Sequence, residues 1–198
     1  YGLLRGWLLA KLSTDGQKDA HKAAGDFLVG MDRQDRKSEL GLSWMDCLME
    51  ARSLYLKAGE LDLARKITTR LSGPLVRLGF YDLVRQLNVE QLDYETHPSA
   101  MNWIAKAFLE QGDYGSAEIW YQRCIEAASS DMQEAAIAYH GLGTIDLNKG
   151  DYDSACNMLD KVLEINRQIG NRSLEASTLH QLATIDLNKG DFNSARDK

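Results

Sequence analysis

The chain has 198 residues, a formal net charge of −6 and 44% hydrophobic residues, with only two prolines. This composition suits an ordered chain rather than a disordered or collagen-like one. The negative balance argues against a nucleic-acid backbone binder, which needs a clustered basic face to displace counterions. Cys47, Cys124 and Cys156 are odd in number and far apart, so they spell neither a CxxC metal pair nor a disulfide framework, and a reducing, cytoplasmic setting is expected. No apolar run reaches the roughly 20 residues of a membrane span, and no membrane association is expected.

In chain order, Gly2 to Leu12 is apolar but interrupted by Arg5 and Lys11, and reads as a first packed helix rather than a leader. From Asp15 to Gly30 the small and apolar positions Ala20, Ala23, Ala24, Phe27 and Leu28 recur at three and four, the mark of an amphipathic helix. A charged connector covers Arg33 to Lys37, after which Ser38 is placed to cap a long helix ending at Gly59. Ser72-Gly73-Pro74 is expected to break the chain, and Leu75 to Tyr94 reads as helical, with Gly79 a candidate split. His97-Pro98 then opens a new helix with proline in its first turn, where the missing N–H costs little.

From there the chain repeats itself. Leu142-Gly-Thr-Ile-Asp-Leu-Asn-Lys-Gly-Asp-Tyr-Asp-Ser-Ala155 returns forty residues later as Leu182-Ala-Thr-Ile-Asp-Leu-Asn-Lys-Gly-Asp-Phe-Asn-Ser-Ala195. Turn glycines stand at Gly112, Gly150 and Gly190, each followed by an aspartate and an aromatic residue. Glycine allows a left-handed helix stop, and the aspartate suits the next helix start. A fixed period of this size is the signature of stacked helical hairpins, each burying its apolar face against its neighbours. The organisation expected is an N-terminal helical segment over 1–37, divergent helical repeats over 38–97 and a regular array over 98–198, whose last repeat is cut short. A start without methionine and a stop inside a repeat suggest a piece of a longer protein.

At these residues the chain resembles the tetratricopeptide repeat family. With Ala155 at the family's second small position, Tyr139, Leu142, Gly143 and Leu159 fall on its preferred large and small positions. With Ala117 there, Met101, Ile104, Ala105, Phe108, Tyr121 and Cys124 do the same, and with Ala195, Leu179, Leu182 and Ala183. Small residues let the two helices of a hairpin approach, and large ones fill the space beside the crossing. Asp146 and Asp186 depart from the usual aromatic, and Val162 is bulkier than usual. The period near forty is similar to the long-unit variety of kinesin light chains and bacterial signalling regulators. The resemblance implies an all-α, right-handed superhelical solenoid of antiparallel helix hairpins, and a non-enzymatic protein-interaction function as sensor or scaffold of a larger regulator.

Catalytic signatures are absent from the sequence: there is no phosphate-binding GxxxxGK[ST], no GxGxxG after a strand, no HExxH and no GxSxG. Asp146 and Asp186 recur by repeat near a helix end and read as structural, and Lys149 and Lys189 complement the helix C-terminal partial charge. Neither a cofactor nor a metal is expected.

The resemblance places the concave face on the first helix of each hairpin. There His140, Thr144 and Asn148 form one helical stripe and His180, Thr184 and Asn188 the next, a candidate groove that continues into Asn102 and Lys106 of the preceding repeat. The expected ligand is a peptide or protein; a small-molecule or signalling-peptide receptor that changes curvature is the alternative. The exposed array end offers a route to homo-oligomers. Trp103 and Trp120 offer aromatic area for either core or interface. Family members that hold chaperone C-terminal carboxylates use a lysine, asparagine and arginine clamp, which Ser99, Asn102, Trp103 and Lys106, then Ile137, His140, Gly141 and Thr144, do not reproduce. An acidic C-terminal peptide titrated by calorimetry is therefore expected to show no specific binding, and submicromolar saturation would contradict this.

Overall fold

The computed structural model describes residues 9–32, 43–129 and 131–197. Among them are ten α-helices and no strand. The contacts divide the chain into two compact units, Tyr1–Arg77 and Leu78–Lys198. The connector read over Arg33 to Lys37, the cap read at Ser38 and most of the helix read over Gly2 to Leu12 lie outside the described residues.

The first unit contains α1 (Thr14–Asp32), α2 (Trp44–Ala58) and α3 (Leu61–Arg77), with α2 packed on both others. A capping box starts α2: the Ser43 hydroxyl accepts from the Asp46 N–H, and the Asp46 carboxylate accepts from the Ser43 N–H at 3.0 Å. The buried contact of α1 differs from the apolar stripe in its sequence, for Phe27 is 63% exposed and Gly25 is buried. A Cβ on Gly25 would meet Cε1 of Tyr55 at 2.8 Å, so the ring lies directly on the α1 backbone. The Tyr55 hydroxyl donates to Asp26 at 2.8 Å, and burial, then this bond, push the phenol up to about 12.

The expected break at Ser72-Gly73-Pro74 does not occur. Helix α3 runs through Pro74, with Leu71 and Leu75 fully buried on one face. Packing of that face outweighs the roughly 3 kcal/mol that an interior proline costs. The chain stops instead after Arg77, where Gly79 takes φ +80°.

The second unit contains α4 (Tyr81–Leu92), α5 (Pro98–Glu110), α6 (Tyr114–Ala127), α7 (Met132–Lys149), α8 (Tyr152–Gln168), α9 (Arg172–Lys189) and α10 (Phe192–Asp197). From α5 onward each helix packs on its predecessor, and α5 also packs on α7, so α5–α6, α7–α8 and α9–α10 stack as hairpins. Gly112, Gly150 and Gly190 take left-handed φ values of +79°, +78° and +81°. The aspartate after each one accepts from a backbone N–H three residues on: Asp113 from Ser116, Asp151 from Ser154 and Asp191 from Ser194. Lys149 pairs with Glu118, and Lys189 with Asp153 at 2.6 Å, so these lysines tie first helices to the preceding second helices as well as ending their own.

The apolar cores are local to the stack. One gathers Met101, Leu109, Ala117, Tyr121, Cys124 and Ile145, and the next gathers Ala155, Leu159, Leu182 and Ile185. Cys124 belongs to the first, and burial pushes its thiol up to about 12, which leaves it inert as a nucleophile. Trp120 is half-buried against this core with Arg123 over its ring at 4.9 Å, and Trp103 is also half-buried.

Two glycines of α7 mark its close contacts. At Gly143 a Cβ would lie 3.3 Å from Met158 Cβ and 3.5 Å from the Ala155 carbonyl oxygen, the small-on-small crossing within a hairpin. At Gly141 a Cβ would lie only 2.2 Å from Cζ and 2.4 Å from Cε2 of Tyr121, itself 2% exposed, so this contact joins one hairpin to the next. Gly141→Ala should destabilise the chain by about 1–3 kcal/mol in chemical denaturation, although alanine is the better helix former by about 1 kcal/mol. The same substitution should cost less in a Tyr121→Leu background, and equal cost in both backgrounds would contradict this account.

Candidate functional site

The first helices α5, α7 and α9 carry all eight groove residues expected from the sequence, but the structure gives them different roles. Asn102 is 5% exposed, and its Nδ2 donates to the backbone oxygen of Glu134 at 3.0 Å and to its carboxylate at 2.7 Å. It therefore ties α5 to α7. Lys106 pairs with Glu110 one turn along its own helix at 2.7 Å. Thr144 and Thr184 each donate to the carbonyl four residues back, His140 at 2.9 Å and His180 at 2.8 Å. Asn148, His180, Thr184 and Asn188 are exposed.

His140 is the member drawn into a defined site. It is half-buried, and its Nε2 lies 3.0 Å from Nε2 and 3.1 Å from Oε1 of Gln181 on α9. A neutral imidazole makes one or the other bond according to its tautomer. Thus His140 crosses to Gln181 of the next hairpin, whereas His180 is exposed. Burial chiefly holds the His140 imidazole below its ordinary value of 6.5; the Gln181 bond works upward and Lys106 works downward.

Beside this pair is a cavity of about 340 Å³, within the roughly 300–1,000 Å³ range of small-ligand sites. Helix α7 supplies Ile137 and His140, α9 supplies Leu174 and Gln181, and α8 supplies Val162 and Asn166. Ile137 and Leu174 are 45% and 44% exposed, whereas Val162 and Asn166 are buried. None of the lining residues is Asp, Glu, Lys or Arg. Asn166 is 1% exposed, and neither Nδ2 nor Oδ1 of its side chain has a hydrogen-bond partner. An unpaired buried polar group costs roughly 1–3 kcal/mol.

Sequence reasoning missed Asn166, Gln181, Ile137 and Leu174. It followed one polar stripe per helix, whereas the cavity draws on three helices. A usable signal lay in comparing corresponding places of successive repeats: Asn102 and Glu134 of one interface become His140 and Leu174 in the next, and Ala128 becomes Asn166. Asp146 is half-buried, and desolvation, with Asp151 and Glu118 nearby, raises its carboxyl. Among the described residues no three His, Cys, Asp or Glu side chains gather as metal ligands, and no helix is long and apolar enough to cross a membrane.

Together these helices define an all-α stack of antiparallel hairpins with a partly enclosed site between the first helices α7 and α9. Residues 98–131 and 134–198 match family models described as tetratricopeptide repeat, and the chain belongs to that family. Such repeats are protein–protein interaction modules. No curated protein matches the chain in sequence. Among solved structures, the crystal structure of BtubC (BKLC) from P. vanneervenii is similar, with a TM-score of 0.60 and 17% identity over 94% of this chain and 88% of that chain. At that identity the likeness shows the fold.

The depressed His140 pKa has a signed consequence. As pH falls below 6.5 the unfolded chain takes up its proton before the folded one, so stability attributable to His140 is lost through that window and is present above it. An NMR titration of the ring protons should give a His140 midpoint below 6.5, and His140→Gln should flatten the fall of melting temperature between neutral and mildly acidic pH. A midpoint at or above 6.5 would contradict the burial account.

Proposed function

We propose that this chain is the partner-binding portion of a larger multidomain regulator, acting as sensor or scaffold by holding a peptide or protein segment along the first helices of its hairpins. The observation that carries the reading is the uncharged cavity between α7 and α9, preformed at about 340 Å³ and bordered by the exposed apolar side chains of Ile137 and Leu174. A preformed groove loses little conformational freedom on binding, so modest contacts suffice. The polar residues along α7 and α9 supply register rather than chemistry. The cavity's size also fits a small ligand, which favours a receptor as the second reading. A ligand-dependent change in small-angle scattering would support that reading, and unchanged scattering would support a static scaffold.

A peptide library displayed on phage and selected on the chain tests the proposal. Selected peptides should bind the wild type and lose about tenfold or more in affinity with Ile137→Arg, which puts an unpaired charge at the cavity mouth. Lys66→Ala, exposed on α3 in the first unit, should leave them unchanged. Failure to enrich any sequence, or binding indifferent to Ile137→Arg, would overturn the placement.

A further inference from the structure

We propose that α9 is a movable jaw: held to α8 along one edge, it rolls toward α7 and closes the cavity on the bound segment, and the His140–Gln181 bond is the strap that sets its resting distance. The clamping rests on the interaction reading above and deepens it, whereas the mobility of the joint rests on how α9 is held.

Along the α8 edge the attachment is continuous. Leu159 and Leu163 of α8 pack with Leu182 and Ile185 of α9 in one buried core. Ion pairs pin both ends, Lys189 to Asp153 at 2.6 Å and Glu175 to Arg167 at 2.8 Å. Core and pins all lie on one helix pair, so α9 can turn about α8 while keeping them, the small sliding of packed helices by which clefts close. Along the α7 edge the attachment is sparse. Among the described residues α5 packs directly on α7, whereas α7 and α9 do not pack on each other in this way. The cavity of about 340 Å³ stands in that gap, and the half-buried bond between His140 and Gln181 spans it.

The joint one repeat earlier lacks this freedom. There Asn102 is bonded to both the main chain and the carboxylate of Glu134. The Cys124 thiol lies 3.4 Å from the Pro98 carbonyl oxygen and 3.8 Å from that of Glu134, and the Tyr121 ring sits against the backbone at Gly141. Helix α7 is thus locked to α5 as well as to α6, and it cannot roll without breaking buried contacts. Helix α9 is locked to α8, and elements that move on binding are drawn from those with sparse local contacts.

The lips of the gap give the roll its direction. Ile137 on α7 and Leu174 on α9 are 45% and 44% exposed, and both line the cavity. Rolling α9 toward α7 withdraws them from water, but the walls of an unfilled cavity lack partner atoms on one side. A segment lying between the lips supplies those atoms, and it touches both only when the jaw is closed. It therefore binds the closed arrangement better, which is the condition for a ligand to shift such an equilibrium. None of the lining residues is Asp, Glu, Lys or Arg, so closure strands no carboxylate, ammonium or guanidinium. Helix α10 packs on α9 and moves with it.

The test measures distances between nitroxide labels on the whole 198-residue chain by pulsed electron paramagnetic resonance. Cys156→Ser is present in every sample, because Cys156 is only partly covered while Cys47 and Cys124 are buried. Glu110→Cys with Asn148→Cys reports the spacing of α5 and α7, and Asn148→Cys with Asn188→Cys that of α7 and α9; all three positions are exposed. In the free chain the α7 to α9 distribution should be the broader. Gln181→Ala, which removes the strap, should broaden it further and leave the α5 to α7 distribution unchanged. Leu159→Tyr with Gln181→Gly, which rebuilds the ring-on-backbone contact of the earlier joint, should narrow it. A selected phage peptide should shift α7 and α9 to one shorter distance. Equal widths at the two joints of the free chain, or a Gln181→Ala variant with an unchanged α7 to α9 distribution, would overturn the inference, and the comparison of the two joints decides it even where the rebuilt pair does not fold. A peptide whose binding is weakened by Ile137→Arg but which leaves the α7 to α9 distribution as in the free chain would remove the jaw and leave the interaction reading intact. A broad α7 to α9 distribution beside a narrow α5 to α7 one, with no peptide enriched, would keep the moving joint and remove that reading.

Discussion

The contact of the Tyr121 ring with the backbone at Gly141 sets how one hairpin meets the next. A helical hairpin in a stack has no central core to rely on; it is stable only when its apolar face is covered by its neighbours. The second helix of one repeat must therefore come close to the first helix of the following one, and a missing Cβ at Gly141 makes room for a large buried ring. The ring in turn joins a core with Cys124, Met101 and Ile145. Within the next hairpin the same principle operates on a smaller scale at Gly143, where the α7 backbone meets Ala155 and Met158.

The ring-on-backbone contact is not repeated one unit later. Leu159 and Gln181 occupy the places of Tyr121 and Gly141 one unit later, and a leucine opposite a longer polar side chain does not reproduce the ring-on-backbone seal. The two nearly identical segments of α7 and α9 thus sit in different surroundings. His140 faces Gln181 across an interface, whereas His180 is exposed. Near-identity in sequence creates equivalent helices but not equivalent sites, since a site depends on what the neighbouring unit supplies.

Polar residues in the stack divide the same way. Asn102 is bonded across to α7 and serves cohesion, while Asn166 is equally hidden and unengaged. Buried amides are normally satisfied, and those that stay open are the ones whose environment calls for a functional account. Asn166 and the uncharged residues around it belong to one interface, between α7, α8 and α9.

Sequence alone determined the helical class, the hairpin boundaries from Pro98 onward, the glycine-aspartate turns and the family, because each depends on local spacing or on a repeated pattern. Local rules failed where packing opposed them. Pro74 stays inside α3 because Leu71 and Leu75 are buried on one face, and Phe27 lies outside the packed surface because α2 meets α1 at Gly25. The groove stripe was legible as a set of positions, but which members contribute to a site was not. Only the tertiary structure separated bonded Asn102 from exposed His180, and it alone brought Asn166 of α8 beside His140 and Gln181. That cavity is formed by three helices from two hairpins, and its shape depends on the volumes that meet there, which no spacing along one helix records.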